Sequence, residues 1–205
     1  MQSLYTIGYS THEIDYFIEL LKTHKIDSIV DVRSSPYSGR NPEFNKSDLK
    51  LTLKNNNIHY IFMGPELGAR RIEGRLYSDG IVDFEKVRKD ATFLKGIKRV
   101  TDGLDKGHRI ALMCSEKKPI ECHRTILVSR QFSINHVEVK HILADGSIIS
   151  HNEIDDELIF KYFDNYNQLS LFGEFNSKDD YLKESYRKQN RIVGYKIDEG
   201  DEDAE

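Results

Sequence analysis

Five short runs of apolar and β-branched residues recur along the chain: Leu4 to Ile7, Ser28 to Val32, Ile58 to Met63, Ile110 to Met113 and Val137 to Leu143. The unbroken run Ile110 to Met113, as opposed to an alternating one, belongs to a strand covered on both faces. Helical spacing fills the gaps between them, through Ile14, Phe17, Leu20 and Leu21, through Leu49, Leu51 and Leu53, from Asp83 to Leu104, and from Thr125 to Phe132. Strand and helix alternating with short links predict an α/β domain, a mostly parallel sheet of about five strands with helices on both faces. Right-handed crossovers then place the loop after every strand at one edge. Residues 72–81 are irregular and read as a loop or lid. Ile154 to Phe163 reads as a further, C-terminal helix. Beyond Gly173 the chain is charged and poor in apolar clusters, so a flexible acidic tail or a loosely attached helix is expected there. The division that follows is a domain over 1–165, a short peptide over 166–175 and a tail over 176–205.

A chain of 205 residues can bury one good core. No apolar run approaches membrane-spanning length, and Met1 to Gly8 has neither the basic end nor the apolar middle of a signal peptide, so a soluble, cytoplasmic protein with no membrane partner is expected. Two cysteines, both in one short stretch, do not make a disulfide framework. The net charge of −4 conceals an asymmetry, because Asp198 to Glu205 is acidic apart from Gly200 and Ala204. The part before it is closer to neutral, which argues against strong unaided binding to nucleic acid.

The strand Ile110 to Met113 ends on Cys114, and seven mostly polar residues later Cys122, His123 and Arg124 open a helix. In open α/β sheets this strand-loop-helix position binds ligands. Cys114 reads as a nucleophile activated by a helix N-terminus, by Lys117 or Lys118, or by His123, with Glu116 and His123 as acid and base. A second reading makes Cys114, Cys122 and His123 metal ligands with a fourth group such as His141 or His151, although structural zinc sites usually pair cysteines at closer spacing. The third reading is two inert buried thiols. No metal or other cofactor is assigned on this basis. Arg33, Arg40, Arg70, Arg71 and Arg124 each follow or lie near an expected strand end, and Ser10 follows the first. Such a rim suits phosphate or carboxylate, because the guanidinium fork gives two charge-assisted hydrogen bonds to one anion. The same arginines have Asp31, Glu43, Glu66 and Glu116 close by as ordinary ion-pair partners.

Gln168, Leu169, Ser170, Leu171 and Phe172 form a compact signal of a different kind. The run looks like the peptide by which bacterial replication and repair proteins dock on the DNA polymerase sliding clamp, its Leu-Phe pair filling an apolar pocket. On average residue usage a chain this long carries such a match by chance about once in a thousand. The alternative is packing of Leu169, Leu171 and Phe172 against the body.

The pieces Tyr5-Thr-Ile-Gly-Tyr-Ser10, Val30-Asp-Val-Arg-Ser34, Asn41-Pro-Glu-Phe44, Glu66-Leu-Gly-Ala-Arg-Arg71, Leu112-Met-Cys-Ser-Glu116, Cys122-His-Arg124 and Val139 to Gly146 resemble the domain-of-unknown-function 488 family. The likeness covers residues 4 to about 150, with Tyr9 where the family often has histidine and Ala69 where it often has glycine. It implies an α/β domain whose loop-edge residues matter. A looser likeness to rhodanese-type domains fails at the long, proline-bearing loop after Cys114. Three functions are compatible with these features. The first is a DNA-repair or replication-associated protein that handles a phosphate-bearing ligand, nucleic acid or nucleotide, and is recruited through the clamp peptide. The others are a thiol-dependent enzyme acting on a small anion and a metal-stabilised binding module.

Overall fold

The computed structural model describes residues 3–9, 12–163 and 177–197. Strand β1 (Leu4–Gly8) is buried throughout and leads into α1 (Ile14–Thr23), which turns Phe17, Ile18, Leu20 and Leu21 inward. After β2 (Ser28–Asp31) come a single 3-10 turn at Pro42–Phe44, then α2 (Lys46–Asn55), β3 (His59–Phe62) and the one-turn α3 (Gly64–Leu67). Residues 72–81 are only partly a loop: a 3-10 turn at Gly74–Leu76 leads into β4 (Tyr77–Ser78), which pairs antiparallel with β5 (Ile81–Val82). The helical stretch from Asp83 divides into α4 (Phe84–Val87) and α5 (Ala91–Asp105). Asp90 separates them by accepting from the amides of Thr92 and Phe93, a side-chain cap that starts a new helix. Strand β6 (Ile110–Cys114) follows, then a π-helical segment Arg124–Ser129 running into α6 (Arg130–Ile134), then β7 (Val139–Ile142), β8 (Ile148–Ser150), α7 (His151–Tyr162) and α8 (Lys178–Val193).

The main sheet has six strands in the order β3-β2-β6-β1-β7-β8, with β8 alone antiparallel to its neighbour. The sixth strand escapes a sequence reading because three residues joined to β7 by a tight turn carry no periodicity. From β1 the chain steps to β2 and β3 on one side, and from β6 it crosses over β1 to β7 on the other. Helices after β1 and after β6 therefore lie on opposite faces, and two separate apolar clusters cover the sheet. The crevice between the carboxyl ends of β1 and β6, where Gly8 is paired with Cys114, is the topological switch point at which such sheets bind ligands.

Residues 177–197 are not loosely attached. Tyr181, Leu182, Ser185, Tyr186 and Gln189 of α8 are buried, and Gln189 donates to the Ile120 carbonyl at 2.6 Å. The apolar side chains are few, but they sit one turn apart on a single face, and polar contacts complete the seam. A buried hydrogen-bond chain runs from Thr6 to His141 (2.8 Å), His151 (3.0 Å), the Tyr186 hydroxyl (3.1 Å) and Asp155 (2.6 Å). Burial lowers the pKa of both histidines, that of His151 to about 3. Below the ordinary histidine pKa of about 6.5 the unfolded chain then binds protons that the folded one refuses, so stability present above that pH is lost as the pH falls. The expected loss is about 1.4 kcal/mol per histidine for each pH unit. Urea unfolding at pH 7.5 and 5.5 measures it, and His151→Asn should flatten the dependence; an unchanged slope would refute the assignment.

Candidate functional site

At the switch point the loop after β6 folds back on itself. Ser115 to Lys118 lead into a 3-10 turn at Pro119–Glu121, and this brings Cys122 and His123 against Cys114 although seven residues separate the two cysteines. The Cys114 sulfur lies 3.7 Å from His123 Nδ1, the Cys122 sulfur 4.0 Å from the same nitrogen, and the Cys122 thiol 2.8 Å from Glu116 Oε2. All four donor atoms fall within 4.8 Å of one another. His123 Nε2 meets the Val32 carbonyl at 2.9 Å. A carbonyl only accepts, so Nε2 carries the proton and Nδ1 faces the sulfurs.

Arg124 builds the loop from beneath. Its fully buried guanidinium donates to the carbonyls of Glu116 (2.6 Å) and Lys117 (3.3 Å), and its backbone N–H points at the Cys122 sulfur from 3.4 Å. Ser129 donates its hydroxyl to the Arg124 carbonyl five residues back, a bond that goes with the π-helical turn. Strand β1 approaches so closely that a Cβ on Gly8 would lie 2.0 Å from the Glu116 carbonyl oxygen. Cys122 is wholly buried and Cys114 is 2% exposed, while Glu116 is half-buried and forms the outer lip.

Charge is distributed unevenly over this cluster. Burial raises the Cys114 thiol, with Cys122 adding to the effect. At Cys122 burial acts in the same direction but is outweighed by the bond from Cys114 and by the Arg124 charge, which bring it to about 6. Burial likewise opposes ionisation of Glu116, yet hydrogen bonds from both thiols hold it at about 2, and contact with Cys122 raises His123 against the effect of its burial.

The expected arginines fare differently from one another. Arg33 is buried and forked on Asp31 at 2.9 and 2.6 Å, with further bonds to the Phe44 carbonyl and the Tyr9 hydroxyl. Arg71 is buried against the carbonyls of Pro65 and Glu66. With Arg124 these make three guanidinium groups that hold the fold's own loops instead of lining an open rim. Arg40 and Arg70 are exposed, and Arg70 stacks on Tyr195 at 4.7 Å. Ser10 and the peptide Gln168 to Phe172 lie outside the described residues.

A family model described as Domain of unknown function DUF488 matches residues 13–131. The chain belongs to the DUF488 family. No curated protein matches it. The DUF488 match spans the segment from α1 to the start of α6, and so contains Cys114, Glu116, Cys122 and His123 together.

This DUF488 domain carries a second feature that no motif announced. Beside the open edge of the sheet, between α2 and α5, runs a groove of about 1030 Å³. Val30, Ile61, Met63, Val100 and Ile110 contribute its apolar lining, and Lys50, Lys54, Arg99 and Lys106 its cationic side. Among the described residues Lys50, Lys54 and Lys106 make no ion pair, whereas Arg99 meets Glu66 at 3.2 Å and Asp102 is held by Lys98. The rings of His59 and His108 meet edge to face with centroids 6.0 Å apart, on the same groove. The only local sequence signal was Lys50 and Lys54 four apart on one helix face.

Proposed function

We propose that this DUF488 protein processes nucleic acid, holding a phosphate-bearing strand in the lysine groove, and that it is brought to replicating or damaged DNA by the clamp-type peptide Gln168 to Phe172. The observation that carries the reading is the trio of ammonium groups that make no ion pair among the described residues, brought from α2 and the C-terminal end of α5 to one groove with rings and apolar side chains beside them. Single strands are bound by such combinations of positive charge and flat faces. The anion seat therefore shifts from the arginines expected in sequence to Lys50, Lys54 and Lys106, since a guanidinium already forked on Asp31 has little left for phosphate. Chemistry falls to the centre formed by Cys114, Glu116, Cys122 and His123. A lysine-lined edge also keeps an open strand from pairing with other chains. That role predicts aggregation, not loss of ligand, when the lysines are removed.

Fluorescence anisotropy with a labelled single-stranded oligonucleotide tests the groove. Lys50→Gln, Lys54→Gln and Lys106→Gln combined should weaken binding at least about tenfold and reduce the slope of log affinity on log salt by about two. Equal affinity and slope would remove the groove from the account. The recruitment reading predicts that sliding clamp retains the intact chain and releases Leu171→Ala plus Phe172→Ala, so equal recovery of both would end it.

A further inference from the structure

Four donors of three chemical kinds face one point at the end of β6, and two of them are thiols that no substrate reaches from solvent. We infer that Cys114, Cys122, His123 and Glu116 hold one zinc-type divalent cation, with Glu116 as the exchangeable ligand. Around a tetrahedral zinc, bonds of about 2.3 Å to sulfur and 2.0 Å to nitrogen place sulfur and nitrogen about 3.5 Å apart. The observed separations of 3.7 and 4.0 Å already lie close to that edge. Glu116 stands 2.8 Å from the Cys122 sulfur and must draw back by less than an ångström to take the fourth corner.

The surroundings are those of a ligand set. Metal-bound histidine is normally oriented by a hydrogen bond from its other nitrogen, and Val32 supplies that acceptor. The Arg124 amide points at the Cys122 sulfur, as suits a thiolate. Charge also closes. A divalent cation with two thiolates and one carboxylate leaves a single negative charge, and the buried Arg124 guanidinium, which has no carboxylate partner among the described residues, lies beneath the loop to offset it. Whatever protons the two sulfurs still hold leave to solvent when the ion enters. Soft sulfur with imidazole selects zinc over magnesium or calcium. A motif search keyed to closely paired cysteines misses the site because the strand end and the turn before the π-helix replace the usual short knuckle. Glu116 alone reaches the outer lip, so it is where water or a substrate oxygen would enter, as at catalytic zinc with three firm ligands. The inference stands apart from the lysine groove and does not depend on it.

The full chain, purified without chelator from zinc-supplemented cells, is measured by elemental analysis. Wild type and Glu116→Gln should carry one zinc per chain, and Cys122→Ser or His123→Ala less than about a tenth of that. A second measurement needs no variant: cobalt reconstitution of wild-type protein should give the visible bands of a tetrahedral site with thiolate charge transfer. Folded wild-type protein that takes up neither zinc nor cobalt would overturn the inference, as would full zinc retention by Cys122→Ser.

Discussion

Asp31→Ala is expected to destabilise the domain by about 3–5 kcal/mol, the range found when one partner of a buried ion pair is removed and the other charge is stranded. Asp31 is wholly buried at the end of β2 and Arg33 is 4% exposed. The carboxylate accepts two guanidinium N–H bonds, the Arg33 backbone N–H at 3.1 Å and the Tyr60 hydroxyl at 2.7 Å. Burial works against the Arg33 charge and the bond and charge of Asp31 more than offset it; a guanidinium does not deprotonate in proteins, so removing Asp31 strands a buried charge. Pairing the change with Arg33→Met should restore most of the loss, since an apolar replacement leaves no charge behind. Urea denaturation of the three variants measures this. A single-variant loss below about 1 kcal/mol would mean that the pair is not buried as described.

Gly8→Ala should be nearly as damaging, costing about 3 kcal/mol by forcing apart two segments that touch. Its Cβ would lie 2.0 Å from the Glu116 carbonyl oxygen, 2.9 Å from the carbonyl carbon and 3.1 Å from Arg124 Nη2. Two of these atoms are backbone, which cannot rotate away. The displaced loop carries Glu116 and is held by Arg124, so the two thiols should become reactive in the variant even where it remains folded. Gly39→Ala meets nothing within 4 Å and provides the control, with no measurable change expected. If thermal unfolding and thiol reactivity of Gly8→Ala matched those of Gly39→Ala, the close approach of β1 to the loop would be refuted.

Much of the fold was legible because its central strands β1, β2 and β6 are buried throughout and its helices are amphipathic, so residue type and spacing repeat the layer order, whereas the edge strands β3 and β8 are partly exposed. Cys114, Glu116 and His123 were legible as neighbours because a strand end and the following turn always meet at one edge of a parallel sheet. What escaped was set by pairing across long separations. Strand β8 exists through its bonds to β7, and α8 is held by Gln189 and Tyr186 reaching residues far back in the chain. The direction in which Arg33, Arg71 and Arg124 would turn was equally invisible, since an arginine beside a strand end serves a ligand or a backbone carbonyl with the same side chain. Lysines 50, 54 and 106 formed no motif because two helices contribute them. Spacing along the chain also hid how near the two cysteines come, because the loop after β6 folds back and brings both Cys114 and Cys122 against His123.

The most direct measurement is X-ray diffraction from zinc-loaded crystals on either side of the zinc absorption edge. One anomalous peak is expected about 2.0–2.3 Å from the sulfurs of Cys114 and Cys122, from His123 Nδ1 and from the Glu116 carboxylate. A map without that peak, with the two sulfurs joined as a disulfide or turned to separate surroundings, would contradict it.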